Sequence, residues 1–236
     1  MRNIIMCMVT TLMMVGLSGC TSRLPTEDEQ AAIINSSDNP LIEVRYIEET
    51  TGLQWVSPDL DVADYQSLLV APVALHPQAQ HVEQIPVGVL EKISQRLTQR
   101  VSDKLAVNVP IVGQPDVGTA KLNIDITHAS TEMEELQITE VLPYGALIGG
   151  AKALLGTRDR NVRILVESQL VDSLTGEILA ERVSVLLAED ILENDRETLR
   201  YEQIKAAVDT FTQDIVDFIR ITAYEAKQSE HTLPSS

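Results

Sequence analysis

Two long segments of the chain carry their apolar residues on one helical face, and this pattern strongly constrains the fold. In residues 86–106, apolar side chains recur at steps of three and four, at Leu90, Ile93, Leu97, Val101 and Leu105. In residues 199–224 the same spacing is found at Ile204, Val208, Phe211, Ile215, Phe218 and Ile219. A helix with a single apolar stripe must bury that stripe against another element. We therefore expect two helices that cover one face of a sheet.

The strands of this sheet are indicated by shorter patterns. Residues 119–128 alternate apolar and polar side chains, which predicts a strand with one covered face and one wet face. The apolar run at 68–73 predicts a buried strand, and residues 162–171 and 178–187 predict a hairpin around the turn at 172–176. Two β-prone runs, 41–47 and 53–56, predict a second hairpin.

The order of these elements predicts the fold class. From residue 67 the chain reads strand, helix, strand, strand, strand, helix, and the first strand–helix–strand unit can form a parallel crossover. The prediction is an α+β fold, a two-layer sandwich in which two helices pack on one face of a mixed, mostly antiparallel sheet.

The beginning of the chain has the layout of a secretory leader. Met1-Arg2 precedes an apolar run over residues 4–17, which is too short to cross a bilayer, and the run leads to Leu17-Ser18-Gly19-Cys20. These four residues resemble the bacterial lipobox, whose cysteine becomes an acylated N-terminus that carries palmitate and other chains. The resemblance implies that Cys20 is the lipidation site and that lipid is the contact with the membrane. Thr21, which is not Asp, favours the outer membrane, with the body facing the periplasm.

The leader sets the expected organisation of the chain. Residues 1–19 are predicted to be the signal peptide, and the polar residues 20–40 to be a tether with a possible short helix. Residues 41–225 are predicted to form one periplasmic α+β domain, and residues 226–236 a disordered tail. Cys7 lies in the leader and Cys20 is the only other cysteine, so no disulfide is expected in the mature body.

Charge and composition exclude some classes of function. The chain has 18 Lys and Arg against 35 Asp and Glu, a formal net charge of −17, which opposes binding to nucleic acid. Aromatic residues make up only 3%, so stacking platforms for bases or sugars are poorly supported. We expect no nucleic-acid partner, and a partner that is another envelope protein or a second copy.

Residues 145–156 form an unusual small and apolar stretch. Their spacing resembles a phosphate-binding loop, but Ala151 stands where the lysine is needed and no hydroxyl follows Lys152. Small residues four apart allow close helix contact. The stretch is therefore either a surface that meets a partner or a short helix packed in the core. The candidate contact residues are Gly145, Leu147, Gly149, Gly150 and Leu154.

The patterns of common catalytic and metal sites are not found in the sequence. His76 and His81 are five apart in a proline-containing segment, which is not a helical ligand pair, and Asp59, Asp61 and Asp64 lack the glycine and glutamate of a calcium loop. No nucleophile elbow or zinc-protease helix occurs. We expect no catalytic residues, no cofactor and no metal. Scattered carboxylates leave a hydrolase open as a weaker alternative.

Several of these pieces together resemble one family. They are the lipobox, the strand DYQSLLVAPV at 64–73, the first striped helix and the hairpin VESQLVDSLTGEILA at 166–180. The chain is similar over residues 41–220 to bacterial lipoproteins that carry the domain of unknown function numbered 3313. The resemblance implies a tethered periplasmic protein and carries over no functional residue except Cys20.

The function expected from these observations is a non-enzymatic, lipid-anchored envelope protein that presents an interaction domain. A module that binds a small molecule, a glycan or peptidoglycan is the alternative.

Overall fold

The computed structural model describes residues 23–35, 37–46, 50–80, 82–133 and 159–232. The strands of the described part are β1 Ile42–Arg45, β2 Thr51–Val56, β3 Ser67–Val70, β4 Ala74–Leu75, β5 Thr119–Met133, β6 Arg160–Asp172 and β7 Ile178–Leu192. Its α-helices are α1 Glu27–Ala31, α2 Val87–Leu105 and α3 Tyr201–Thr232.

The strands form one sheet in the order β1-β2-β7-β6-β5-β3, with β4 also pairing with β5. β3 and β4 run parallel to β5, and every other pairing is antiparallel. α2 connects the parallel strands β3 and β5, as the sequence predicts for a crossover. The mixed, mostly antiparallel sheet is therefore confirmed, and so are both hairpins.

α2 and α3 pack side by side on one face of the sheet. The predicted stripe of α2 is buried, with Leu90, Ile93, Leu97 and Val101 fully inaccessible to solvent. Burying a side chain of this size stabilises the fold by about 1.5–3 kcal/mol. The two helices are also joined by paired hydrogen bonds from Arg96 to Asp209, each 2.8 Å long. The predicted two-layer α+β sandwich is confirmed.

The turn between β6 and β7 is fixed by side-chain chemistry. The Asp172 carboxylate accepts hydrogen bonds from the Leu174 and Thr175 backbone N–H groups, at 2.9 and 2.7 Å. Gly176 closes the turn with a φ of +74°, which favours glycine. This turn allows two long strands to pair over most of their length.

The face of the sheet opposite the helices is covered in its centre, not wet as expected. Leu165, Val183 and Val185 form a second apolar cluster there, and Ile33 and Leu41 pack onto it. The described residues 23–35 and 37–41, which we call the N-terminal strap, thus lie on this outer face. Residues 20–40 were predicted to be a tether, and within this range Glu29, Asn35 and Ser37 bind side chains of the sheet.

The end of the chain also differs from the expectation. α3 continues to Thr232, so residues 226–232 have a helical backbone where a disordered tail was predicted, and Ala226 is buried.

Candidate functional site

The predicted site residues lie outside the described part of the chain. These are the lipidation residue Cys20 and the candidate contact residues Gly145, Leu147, Gly149, Gly150 and Leu154. The structure does describe the residues that follow Cys20 closely. The candidate site therefore consists of the strap from Arg23 on and the sheet residues that bind it.

A buried ion pair fastens the start of the N-terminal strap to the sheet. The Arg163 guanidinium, on the outer face of β6, donates two hydrogen bonds to the Glu29 carboxylate, Nε–Oε1 at 2.9 Å and Nη2–Oε2 at 2.8 Å. Both side chains are at least 96% buried. Arg163 Nη2 also donates to the Leu24 carbonyl at 2.9 Å. The pair therefore holds both the helix and the residues before it.

Glu29 lies where Arg163 can reach it because α1 begins with a capping box. Thr26 is the N-cap, and its hydroxyl accepts a hydrogen bond from the Glu29 backbone N–H at 3.2 Å. The Glu29 carboxylate accepts from the Thr26 N–H in return, at 2.8 Å. Such a box satisfies two helix N–H groups that would otherwise lack partners. It therefore lets a five-residue helix present a fixed carboxylate.

Further along, carboxylates of the sheet bind the backbone of the strap. Glu167 accepts hydrogen bonds from the Ile34 and Asn35 N–H groups, at 3.0 and 2.8 Å. Glu181 accepts from the Ser37 hydroxyl. Gln169 donates to the Asn35 carbonyl at 2.7 Å. Buried polar groups require such partners, so these contacts fix the register of the strap on the sheet.

Two carboxyl groups in these contacts, Glu29 and Asp125, have pKa values shifted in opposite directions. Burial alone raises the pKa of the Glu29 carboxyl, but hydrogen bonds from Arg163 and Thr26 and the Arg163 charge outweigh burial, so the pKa is lowered. Burial raises the pKa of Asp125, and the negative charge of Glu167 raises it further. The Glu29 contact with Arg163 therefore stabilises the docked strap, whereas the Asp125 carboxylate accepts a hydrogen bond from Asn35 at 3.2 Å but is repelled by the nearby Glu167.

A small apolar pocket lies at the other end of the sheet, between β3, β5, β6 and α3. Its volume is about 130 Å³, and its lining includes Leu60, Val62, Tyr65, Leu68, Leu170 and Ile219. The Tyr65 hydroxyl donates to Asp172 at 3.3 Å. Burial and the charge of Asp172 raise the pKa of Tyr65 to about 12, so this hydroxyl remains a neutral donor. The lining can hold a small apolar group, such as an aliphatic side chain.

A second buried ion pair lies on the helix side of the sheet. Arg182 of β7 donates to Asp214 of α3, with Nε–Oδ2 at 2.9 Å and Nη2–Oδ1 at 2.5 Å. The Tyr46 ring stacks 4.0 Å from the guanidinium carbon. Both charged side chains are almost fully buried. This pair ties the sheet to α3 and is a structural contact.

A cluster of metal-binding side chains and a membrane-spanning helix are both absent from the described residues. They contain no group of three or more His, Cys, Asp or Glu side chains placed to hold a metal ion. Within the same residues, no helix has the length and apolar character needed to cross a membrane.

Sequence reasoning did not find Glu29, Arg163, Glu167 or Glu181. A signal for two of them was present, because Arg163 and Glu167 interrupt the apolar strand β6 at positions that share one face with Leu165. Charged residues in a central strand require partners. The partners could not be identified, since Glu29 is 134 positions away from Arg163.

Comparison with known proteins finds a lipoprotein with a similar sequence. The chain is 26% identical over 211 residues to "Uncharacterized lipoprotein YdcL" of Escherichia coli (strain K12), covering 87% of this chain and 91% of that protein. Among solved structures it is similar to the hypothetical protein CT253 from Chlamydia trachomatis. Sequence identity is 8%, the TM-score is 0.41, and the match covers 66% of this chain and 98% of that one.

A second solved structure is a putative neuraminyllactose-binding hemagglutinin homolog from Helicobacter pylori, at 8% identity. Its TM-score is 0.40, and the match covers 73% of this chain and 98% of that one. The model of the family described as "Protein of unknown function (DUF3313)" matches residues 39–215. Relatives that are lipoproteins imply association with a membrane. The chain therefore belongs to the DUF3313 family, a family of bacterial lipoproteins.

Proposed function

We propose that this protein is a non-enzymatic envelope protein, anchored by acyl chains on Cys20 in the outer membrane and facing the periplasm. Its folded body presents an interaction surface to another envelope protein. The observation that carries the proposal is the N-terminal strap. The described residues that follow the proposed lipidation site, from Arg23 on, are held on the outer face of the sheet by the ion pair between Arg163 and Glu29.

The strap supports anchoring because its contacts suit a mechanical attachment. A lipid anchor at Cys20 would transmit force along the chain to the strap residues from Arg23 on. Those residues are held by a bidentate ion pair that is shielded from solvent, and such charge-assisted hydrogen bonds are roughly twice as strong as neutral ones. The apolar contacts of Ile33 and Leu41 add to this attachment.

The pocket near Tyr65 supports an interaction role. An apolar recess of about 130 Å³ is too small for most cofactors, but it can accept one aliphatic side chain of a partner. Val62 and Tyr65 are only partly buried at this site. We propose that an apolar side chain of the partner inserts here.

Anchoring is tested by replacing the proposed acylated residue. Cys20→Ser should lose the acyl mass and leave the outer-membrane fraction, because each buried methylene contributes about 0.8 kcal/mol to membrane binding. Cys7→Ser is the matched control, since Cys7 lies in the segment proposed to be removed. Density-gradient fractionation and intact-mass spectrometry are the measurements. An unacylated wild-type chain, or one that stays bound after Cys20→Ser, would overturn the anchor.

The interaction surface is tested by site-specific cross-linking in intact envelopes. A photoreactive residue at position 62, beside the pocket, should give a discrete product with one protein. The same residue at position 34, on the outer face of the sheet, serves as the control because Ile34 is exposed and lies away from the pocket. Products that are absent at position 62, or identical at both positions, argue against a partner at the pocket.

A small-molecule binding module is the second candidate, and the same pocket favours it. Its lining is almost entirely apolar, so the ligand would be a short alkyl or aromatic group rather than a sugar. Thermal unfolding with small apolar probes should then show a shift that Ala120→Leu abolishes by filling the pocket. Peptidoglycan fragments should give no shift, and a shift with them would redirect the assignment to a glycan site.

A further inference from the structure

The N-terminal strap runs along the outer face of the sheet in one direction. Its first described residues lie near the proximal end of the sheet, which we define as the end formed by Glu132, Met133, Arg160 and Leu192. Leu24 is bound by Arg163, which also contacts Glu132 at 3.4 Å between Nη1 and Oε1.

The contacts of Arg23 and of Asn35 both show that the strap starts at the proximal end. Arg23 lines a groove of about 310 Å³ together with Glu189 and Ile191, near the end of β7. Asn35 lies farther along β6, where its carbonyl accepts from Gln169. The strap therefore leads from the proximal end toward the distal end, which we define as the turn after Asp172 together with Thr119 and the Tyr65 pocket.

The short distance from Cys20 to the strap sets a limit on where the anchor can lie. Cys20 is four residues before Leu24. A fully extended chain spans at most about 3.3–3.6 Å per residue, so the two residues are no more than about 14 Å apart. From Arg163 to Asp172, the nine residue-to-residue steps of the strand extend about 30 Å. An anchor at Cys20 therefore reaches the proximal end of the body and not the distal end.

We propose that the strap mounts the body on the membrane in a fixed orientation, with its proximal end facing the lipid surface and the pocket facing away. This inference rests on the proposed acylation of Cys20. The strap holds the orientation because Glu167 binds its backbone N–H groups, so it cannot slide along the sheet. The net charge of −17 also opposes a body that lies flat on an anionic membrane.

Quenching by lipid headgroups tests this orientation in the full acylated protein. The mature chain has no cysteine besides Cys20, so Met133→Cys and Leu174→Cys each create one site for a fluorescent label. Both positions are exposed, at 54% and 58%, and they lie at the proximal and distal ends. In vesicles of neutral and anionic phospholipid with nitroxide headgroups, fluorescence should be lost several-fold more strongly at position 133 than at position 174.

A spacer supplies the control for this measurement. Twelve Gly and Ser residues inserted between Ser22 and Arg23 lengthen the segment between Cys20 and the strap by about 40 Å when extended. The insertion leaves every described strap contact in place. The quenching at position 133 should then fall to the level at position 174. The same insertion between Gln114 and Pro115, in an exposed loop, should leave the quenching unchanged.

The outcomes separate the orientation from the anchor. An acylated protein with equal quenching at both positions, or with quenching that the spacer does not change, overturns the fixed orientation and leaves the anchor standing. A protein whose intact mass shows no acyl chains, and which does not sediment with vesicles, overturns both.

Discussion

The ion pair between Arg182 and Asp214 links β7 to α3 in the buried interior of the body. The two side chains are 1% and 2% exposed, and the Tyr46 ring covers the guanidinium. Gly52 lies beside them, and a Cβ atom there would be 2.9 Å from the Arg182 guanidinium carbon. The neighbours thus leave Arg182 no path to solvent, so a change at Asp214 cannot be relieved by moving the charge outward.

The enclosure of Arg182 determines how much free energy of unfolding is lost when Asp214 is replaced. Removing one partner of a buried ion pair costs about 3–5 kcal/mol, because the remaining charge is uncompensated. We therefore expect Asp214→Leu to lower the free energy of unfolding by that amount. For a body of this size, each kcal/mol shifts Tm by roughly 2–4 °C, so the loss corresponds to about 6–20 °C. The double variant Arg182→Met with Asp214→Leu should recover most of the loss, since it leaves no buried charge.

The assay is urea unfolding of the chain without residues 1–19, followed by circular dichroism and by the fluorescence of Trp55. Trp55 is the single tryptophan and pairs with Glu181 of β7, so it reports on the same region. The matched control is Asp209→Leu, which breaks a bidentate pair with Arg96 between α2 and α3 that is 22% and 35% exposed. A partly exposed pair contributes about 0–1 kcal/mol.

Two results would refute this reasoning. One is an Asp214→Leu variant that is no less stable than Asp209→Leu. The other is a double variant as unstable as the single one, which would mean that packing and not charge sets the cost.

Three further predictions concern the strap and the core. Glu29→Gln should expose residues 24–31 to hydrogen exchange. Because the pKa of Glu29 is lowered, the loss in free energy of unfolding relative to wild type should be complete above about pH 4.5 and should shrink in more acidic solution. Asp125→Asn should stabilise the protein at neutral pH, because the pKa of Asp125 is raised, and this gain in urea midpoint should vanish in acid. Leu97→Ala should cost about 2–5 kcal/mol in the same unfolding assay, since the side chain is fully buried between α2 and the sheet.

The sequence predicts the helical layer well because its signal is local. The stripes of α2 and α3 repeat every three to four residues, and the predicted positions Leu90, Ile93 and Phe218 are all fully buried. The two-residue period of β5 is local in the same sense, although β5 continues to Met133, five residues beyond the predicted end. A bulge between Ile126 and His128 breaks the period at that point.

The strap could not be predicted in this way because its contacts join residues that are far apart in the sequence. Residues 20–40 are polar, and polar composition is typical of a tether. Their partners Arg163, Glu167 and Glu181 come more than 120 positions later, so only the folded sheet brings them together. The period of a strand indicates which face a residue occupies and does not indicate what covers that face.

The polar character of the strap contacts has a consequence for its role. A cover made only of apolar side chains could shift by two residues along a sheet and still bury its surface, because the strand period is two. Carboxylates that accept from particular backbone N–H groups, as Glu167 does from Ile34 and Asn35, remove that freedom. A shift would leave the buried charges of Arg163 and Glu29 unpaired, at a cost of several kcal/mol. Register matters most where the chain length before the strap must be constant, and the proposed lipid anchor at Cys20, three residues before Arg23, is such a case.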